Sequence, residues 1–178
     1  MGGWSIEPAT VESLPDILEI EEACFSAPWT RKMLQAELSG NPFAHFLVAK
    51  HVPQGEANSV SIAGYLCFWV VFEEVRLMNL AVIASMRHKG IARALVMQAL
   101  EVGLAQAATR AVLEVRASNR AAHALYRSLG FLDATTRTTY YTNPIEDALL
   151  MELDPLVPES DRLTDTAGHR REGAGPLQ

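Results

Sequence analysis

Apolar side chains first recur along the chain at the spacing of an α-helix. After Thr10 an apolar residue returns at every third position, at Val11, Leu14, Ile17 and Ile20. A second helical pattern begins after Thr30 and ends at Gly40. Because threonine is favoured at the position that caps the start of a helix, the pattern predicts two early helices that open at Thr10 and Thr30.

The pattern then changes to short apolar runs. Three such runs, at residues 43–50, 61–72 and 77–83, are rich in the β-branched and aromatic side chains that favour strands. The longest, YLCFWVVF at residues 65–72, falls far short of the roughly 18 residues that a membrane-spanning helix needs. The segment HVPQGEANS has the composition of a turn-forming loop. These runs predict an antiparallel meander of three strands.

Helical and strand patterns alternate in the second half of the chain. A helical pattern covers residues 89–107, the run AVLEV at 111–115 predicts a strand, and a further helix covers residues 119–129 before Gly130. Strands are expected near Phe131 and over the run DALLMEL, residues 147–153. This alternation is typical of an α/β fold with at least one parallel strand pair.

Length and composition indicate one folded domain followed by a tail. The 178 residues are 49% hydrophobic, which is enough to bury a sizeable core in a single domain. After Asp154 large apolar side chains become few. We therefore expect residues 1–155 to form the domain and residues 156–178 to be a flexible tail.

Charge and cysteine content argue against several classes of protein. The formal net charge of −6 is unlike that of nucleic-acid-binding proteins, which concentrate basic residues, but it favours encounter with a basic substrate. Cys24 and Cys67 lack the spacing of a metal site or of a disulfide framework. The start of the chain carries no targeting pattern. These features predict a cytoplasmic protein that binds no metal, no nucleic acid and no membrane.

A glycine stands among basic residues directly before the third helical pattern. The stretch MRHKGIARALVMQAL, residues 86–100, follows the strand pattern LMNLAVI and enters the helix through Gly90. The first N–H groups of a helix have no partner within it, and the helix dipole favours an anion there. Positive charge is added by Arg87, His88, Lys89 and Arg93. The stretch fits either a diphosphate site or an ordinary turn with solvated basic side chains. The strings GxxxxGK and GxGxxG of nucleotide and dinucleotide sites are missing.

Two further stretches carry candidate catalytic residues. Glu114 interrupts the apolar run AVLEV, and partial burial there would raise the pKa of its carboxyl group toward the range of a general base. Asn119 and Tyr126 are two helical turns apart, so they share one face of the predicted helix. The alternatives are a glutamate on the wet face of an edge strand, an asparagine that caps the helix and a tyrosine of the core.

Three motifs in this order give the chain a resemblance to a known family. The spacing Arg87-x-x-Gly90-x-Ala92 is similar to the acetyl-CoA signature R/Q-x-x-G-x-G/A of the GNAT family of N-acetyltransferases. The strings NLAV, LEVRASN and ALYRSLGF most resemble those of the RimI-type ribosomal-protein alanine N-acetyltransferases, over about residues 4–153. The turn AVIASMR departs from the proline-containing turn that many members have.

The resemblance implies a GNAT fold, in which helices flank a mixed central sheet whose parallel strands splay apart. It also implies acetyl-CoA as cosubstrate, with no metal. The CoA diphosphate would be held by the amides of a short stretch, namely Arg87, His88, Lys89, Gly90, Ile91 and Ala92. The backbone of Leu80, Ala81 and Val82 would pair with the pantetheine and the acetyl carbonyl, and the side chain of Asn119 would bind the pantetheine.

The chemistry implied by the resemblance is direct attack of an amine on the thioester. Glu114 would act through water as the general base, and Tyr126 would give a proton to the departing CoA thiolate. Trp29 and the pair Tyr140 and Tyr141 resemble the segments of the family that border the peptide cleft. The alternatives for these aromatic residues are packing at a helix entry and at a strand edge.

The acceptor follows from an argument on pKa. An α-amino group, with a pKa near ~7.8, is about a tenth neutral at pH 7, whereas the neutral fraction of lysine is under about one in a thousand. A single carboxylate base therefore favours an α-amine, and we expect the acceptor to be the N-terminal alanine of a basic small-subunit ribosomal protein. A lysine or small-molecule amine acceptor and a non-catalytic CoA-binding sensor are the alternatives, and the oligomeric state is left open.

Overall fold

The computed structural model describes residues 3–51 and 60–161, which form seven strands and four α-helices. The strands are β1 (Trp4–Pro8), β2 (Ala44–His51), β3 (Ser61–Val71), β4 (Glu74–Val82), β5 (Arg110–Arg116), β6 (Leu132–Thr142) and β7 (Ile145–Leu153). The α-helices are α1 (Leu14–Cys24), α2 (Arg31–Gly40), α3 (Ile91–Ala105) and α4 (Arg120–Ser128). Short 3-10 turns precede α1 and α3, at Val11–Ser13 and Ala84–Met86.

The strands form one mixed sheet in the order β1-β2-β3-β4-β5-β7-β6. Neighbouring strands are antiparallel except β4 and β5, which run parallel. The connection between these two strands contains α3, as a parallel pair requires a long crossover. The predicted meander therefore forms one half of the sheet, and the β6–β7 hairpin completes the other.

Helices cover both faces of the sheet, because alternate residues of each strand point to opposite sides. On one face α1 and α2 bury Ile17 and Leu34 against β2 and β3. On the other face α3 buries Leu95 against the core side chains of the central strands. The contact of α3 with β4 is so close that a Cβ atom on Gly103 would lie 2.1 Å from Cγ2 of Val75. A larger residue there would push the helix off the sheet.

Most of the elements that the pattern predicts are confirmed. Thr30 caps α2, because its hydroxyl accepts a hydrogen bond from the amide of Met33 at 3.3 Å. Thr10 precedes the 3-10 turn that leads into α1. β1 was not predicted, since only Trp4 and Ile6 alternate with exposed residues in this short edge strand. Residues 52–59 of the expected loop lie outside the described residues.

The core continues one residue past the expected domain end. Leu156 is 4% exposed and belongs to the core on the α3 side of the sheet, while its amide donates to the carbonyl of Thr109 at 2.6 Å. Residues 162–178 of the expected tail lie outside the described residues, so the flexible tail stays a prediction. Cys24 and Cys67 are free thiols. No helix in the described ranges is long and apolar enough to span a membrane.

Candidate active site

The parallel strands β4 and β5 part in the middle of the sheet. Their pairing begins at Glu74 and Arg110 and ends at Leu77 and Leu113. Directly after the last pair, the register of β3 against β4 shifts, which leaves Met78 as an extra residue in β4. Bulges of this kind increase the local twist and often border active sites. The expected splay of the parallel strands is thus present.

A cleft of about 570 Å³ opens where the two strands separate. β4 and β5 form its two walls, and α4, the α1–α2 loop and the β6–β7 turn complete it. The side chains that line it include Met78, Asn79, Leu80, Glu114, Arg116, Asn119, Tyr126, Trp29 and Tyr141. Six of the residues singled out in the sequence therefore meet in one cavity, namely Trp29, Leu80, Glu114, Asn119, Tyr126 and Tyr141.

Glu114 is the first residue of β5 beyond the last pair with β4. Because β5 lies between β4 and β7, the alternative of a glutamate on an edge strand is wrong. Its side chain is 18% exposed, and Oε1 lies 2.8 Å from Nη1 of Arg137. The contact is an ion pair only, because no described residue donates a hydrogen bond to Oε1. Oε1 is therefore charge-paired with Arg137 but has no hydrogen-bond donor among the described residues.

Tyr126 reaches the same cleft from α4. The residue is 7% exposed, and its ring packs edge-on against Phe131 at 5.7 Å between centroids. Burial raises the pKa of its hydroxyl above the ordinary value of 10.0. In the described part of the chain this hydroxyl makes no hydrogen bond. The phenol therefore stays protonated at neutral pH and has its proton available.

Asn119 stands at the start of α4 and lines the cleft. Its Oδ1 accepts a hydrogen bond from the amide of Ala122 at 3.1 Å, so the residue caps the helix. The Nδ2 donor makes no hydrogen bond to any described residue. Capping and pantetheine binding are therefore compatible, because they use opposite ends of the same amide group.

The turn before α3 has the geometry of an anion site. Gly90 is left-handed, with φ of 80°, and His88 is left-handed too, with φ of 59°. The amide of Ala94 donates to the carbonyl of Gly90, so the amides of residues 91–93 precede the first intrahelical bond. A Cβ atom on Gly90 would meet no atom within 4 Å. The glycine leaves the approach to these amides open, which suits a diphosphate.

The basic side chains of this turn are directed differently from one another. Nε of Arg87 donates to the carbonyl of Val82 at 3.0 Å, at the end of β4. Nζ of Lys89 lies 3.2 Å from Sδ of Met86. The side chain of Arg87 therefore stabilises the end of β4. The expected binding of diphosphate by residues 87–92 depends on their backbone amides.

The backbone of β4 beyond the splay has a strand on one side only. Leu80, Ala81 and Val82 pair with β3, and β5 has already turned away from them. Ala81 and Val82 are buried, and Leu80 lines the cleft. The free edge of this segment is where an extended pantetheine would add main-chain contacts.

Aromatic residues border the other end of the cleft. Trp29 lies in the α1–α2 loop and Tyr141 near the end of β6, with the guanidinium of Arg116 stacked 4.1 Å from the Tyr141 ring centroid. Tyr140 does not line the cleft and is 47% exposed. Its interaction with the carboxylate of Glu114, and then partial burial, raise the pKa of the Tyr140 hydroxyl.

The α1–α2 loop and the β6–β7 turn meet across the mouth of the cleft. The hydroxyl of Ser26 donates to the carbonyl of Asn143 at 2.7 Å, and Nδ2 of Asn143 donates to the carbonyl of Ser26 at 3.4 Å. At the start of β7, Glu146 accepts a hydrogen bond from the amide of Ser118, and hydrogen bonds from the side chain and then the backbone of Ser118 lower the pKa of Glu146. These contacts give this end of the cleft two polar, hydrogen-bonded borders.

Sequence reasoning missed one buried carboxylate beside the cleft. Glu21 of α1 is fully buried, with 0% exposure, and contacts Tyr65, Asn79 and the backbone of Trp29. The sequence could have indicated this burial, because Glu21 follows Leu14 by two helical turns and therefore lies on the apolar face of α1. Among the described residues no cluster of three His, Cys, Asp or Glu side chains could hold a metal ion.

Comparison with known proteins agrees with this geometry. The family model of the acetyltransferase (GNAT) family matches residues 14–131. The chain is 33% identical over 151 residues to the ribosomal protein bS18-alanine N-acetyltransferase of Escherichia coli strain K12, covering 84% of this chain and 96% of that one. It is 35% identical over 155 residues to the protein of the same name from Salmonella typhimurium strain LT2, with the same coverage of 84% and 96%.

A solved structure gives the same relationship in three dimensions. The crystal structure of the Escherichia coli ribosomal-protein-S18-alanine N-acetyltransferase superposes with a TM-score of 0.74, at 31% identity over 86% of this chain and 94% of that chain. The chain belongs to the acetyltransferase (GNAT) family. It is therefore an acetyl-CoA-dependent N-acetyltransferase, and the expected fold and the resemblance to RimI-type enzymes are confirmed.

Proposed function

We propose that this enzyme transfers acetyl from acetyl-CoA to the α-amine of a protein N-terminus. The observation that carries the proposal is the cleft between β4 and β5, which brings the carboxylate of Glu114 and the protonated phenol of Tyr126 into one cavity. As acceptor we propose the N-terminal alanine of ribosomal protein bS18, the substrate in the names of the Escherichia coli and Salmonella relatives.

The proposed mechanism is one displacement in which the amine attacks the thioester directly. Acetyl-CoA would bind with its diphosphate at the amides before α3 and its pantetheine along the free edge of β4. The amine nitrogen attacks the carbonyl carbon, so a C–N bond forms while the C–S bond breaks. Glu114 removes, through water, the proton that the nitrogen loses, and Tyr126 donates its hydroxyl proton to the CoA sulfur.

The buried environment of Tyr126 keeps its hydroxyl protonated but makes it a weaker acid. A thiol has a pKa near ~8.5, below that of a phenol, so proton transfer from tyrosine to a free thiolate is uphill. Because burial raises the pKa of Tyr126 further, the proton moves only as negative charge develops on the departing sulfur. The resulting phenolate then recovers a proton from solvent. The raised pKa makes this step more uphill than it would be for a tyrosine with an ordinary pKa.

The surface beside the cleft suits a basic acceptor. On the far side of Trp29 lies a second groove of about 510 Å³, whose lining includes Glu19 and Glu22. A peptide whose first residue enters the cleft beside Trp29 could continue into this groove. Arg31 also lines the groove, so its charged lining is net acidic by one charge, which would favour basic side chains in agreement with the net charge of −6.

The proposal is tested with three peptides and tandem mass spectrometry. The first begins with a free alanine and has the basic composition of a ribosomal protein, the second has the same sequence with a blocked N-terminus, and the third carries lysine as its only free amine. We expect the acetyl group on the α-amine of the first peptide alone. Modification confined to lysine side chains, or equal modification of the blocked peptide, would refute an N-terminal acceptor and favour a lysine or small-amine substrate.

A further inference from the structure

A carboxylate lies fully buried where the α1–α2 loop, β3 and β4 meet. Oε2 of Glu21 accepts a hydrogen bond from the amide of Trp29 at 2.6 Å. Oε1 accepts from Nδ2 of Asn79 at 2.8 Å and also from the hydroxyl of Tyr65. Glu21 is 0% exposed, and no cation pairs with it among the described residues. Three neutral donors on three separate segments therefore satisfy one buried charge.

Burying a carboxylate is an unfavourable way to stabilise a core. Removing a carboxylate from water carries a penalty that hydrogen bonds only partly offset, and an apolar side chain of similar size often gives equal or greater stability. Burial also raises the pKa of the Tyr65 hydroxyl, and the neighbouring charge of Glu21 raises it further, so this phenol remains a donor. The arrangement thus stabilises a specific geometry more than it stabilises the fold.

Two of the three donors belong to the wall of the cleft. Trp29 and Asn79 line the cavity, whereas Glu21 does not. Asn79 follows Met78, the extra residue of β4, and precedes Leu80, where the expected pantetheine edge begins. The carboxylate of Glu21 therefore ties the loop that borders the acceptor to the strand that would carry the thioester.

We propose that Glu21 is a positioning residue that holds the α1–α2 loop against the bulged part of β4 and so sets the place of the acceptor amine relative to the acetyl group. The inference rests on the proposed function, because it assigns Trp29 and its loop to the acceptor side. Glu21 touches neither substrate. It acts through the amide of Trp29 and the side chain of Asn79.

The test uses Glu21→Gln, which keeps the volume but places an NH₂ group against at least one donor. We expect the KM for the free-alanine peptide to rise about tenfold, as for the loss of a hydrogen bond to a charged group, while the KM for acetyl-CoA stays within about twofold. Hydrogen exchange followed by mass spectrometry should show faster exchange over residues 25–30. Tyr65→Phe removes one donor from the same carboxylate and should give a smaller change of the same kind.

Glu37→Gln is the matched control. Oε2 of Glu37 accepts from Nδ2 of Asn41 at 2.9 Å and from Nε1 of Trp69 at 2.8 Å, and Glu37 does not line the cleft. Because both hydrogen bonds go to Oε2, the carbonyl oxygen of glutamine can still accept them, so this variant should change neither KM nor the exchange over residues 25–30. If Glu21→Gln lowers only the melting temperature, or raises both KM values equally, the proposal is wrong. If Glu21→Gln does not fold, an unchanged peptide KM in Tyr65→Phe refutes it.

The proposed acceptor and the proposed role of Glu21 are refuted by different results. If wild-type protein does not acetylate the free-alanine peptide, the proposed acceptor is wrong, and the KM comparison is made on the acceptor that mass spectrometry identifies. If wild-type protein does acetylate this peptide and Glu21→Gln behaves like Glu37→Gln, the acceptor is right and the positioning role is refuted.

Discussion

Removing the hydroxyl of Tyr126 should affect the catalytic rate and leave the stability of the fold almost unchanged. Tyr126→Phe removes one oxygen that makes no hydrogen bond to any described residue and keeps the ring in its edge-on contact with Phe131. No donor or acceptor loses a partner, so the free energy of unfolding should change by less than about 0.5–1 kcal/mol. Chemical denaturation of both proteins measures this difference.

The catalytic effect should be much larger than the stability effect. A positioned general acid typically contributes a factor of about 10²–10⁴ to the rate, which corresponds to roughly 2.7–5.4 kcal/mol in the activation barrier. We therefore expect kcat for the free-alanine peptide to fall at least about 100-fold in Tyr126→Phe. The Kd for acetyl-CoA, measured by calorimetry, should stay within about threefold, since in the proposed mechanism the lost oxygen acts only as the sulfur departs.

Tyr141→Phe provides the matched control for this experiment. Tyr141 lines the same cleft, and Arg116 stacks on its ring, a contact that phenylalanine retains. As a residue bordering the acceptor, it should alter the peptide KM more than kcat. A kcat in Tyr126→Phe within about threefold of wild type would refute the assignment of the acid. Equal losses of kcat in both variants would show that neither hydroxyl is the dedicated proton donor.

Three further predictions follow from the turn, the core and the titrating groups. Gly90→Val should raise the Kd for CoA, measured by calorimetry, at least about tenfold, and Gly90→Ala should raise it less. Because φ of 80° strains the backbone in both variants, equal increases in Kd would mean that backbone strain alone is responsible. Leu156→Ala should lower the free energy of unfolding, measured in urea, by about 2–5 kcal/mol, whereas a chain ending at residue 161 should be as stable as wild type. An unchanged stability of Leu156→Ala would mean that Leu156 does not belong to the core. The value of kcat/KM should increase through about pH 7.8, where the α-amine of the peptide loses its proton. Because the pKa of Tyr126 is raised above 10.0, the acid keeps its proton and kcat/KM should not fall before pH 10. A fall at lower pH would mean that another group is the acid.

Local features of the fold were predictable because local sequence determines them. Thr30 caps α2 through a bond to a residue three positions away, and Gly90 adopts the left-handed conformation at the turn where the pattern places it. The stripe of apolar residues likewise gave the face of α1 that packs on the sheet. The splay of β4 and β5 came from the resemblance alone, since no periodicity records where two strands separated by a helix stop pairing.

Contacts between distant segments were not predictable from pattern. Arg87 is 5 residues from Val82 but also reaches Cys24, 63 residues away, and its side chain follows the end of β4 instead of the anion turn. Arg137 pairs with Glu114 because β6 folds back beside β7, which in turn lies beside β5. Each of these directions depends on sheet order and register, which arise only when the whole chain has folded.

The tyrosines of the chain show how environment assigns chemistry to identical side chains. Tyr65 is fully buried, and its hydroxyl is occupied by the carboxylate of Glu21, so it cannot release a proton to a substrate. Tyr140 is 47% exposed and lies outside the cleft, while Tyr141 lines the cleft beneath the guanidinium of Arg116. Tyr126 combines burial, a place on the cleft wall and a hydroxyl without a hydrogen-bond partner in the described chain. A proton donor for a buried leaving group needs all three properties, and among these four tyrosines this combination is found at Tyr126.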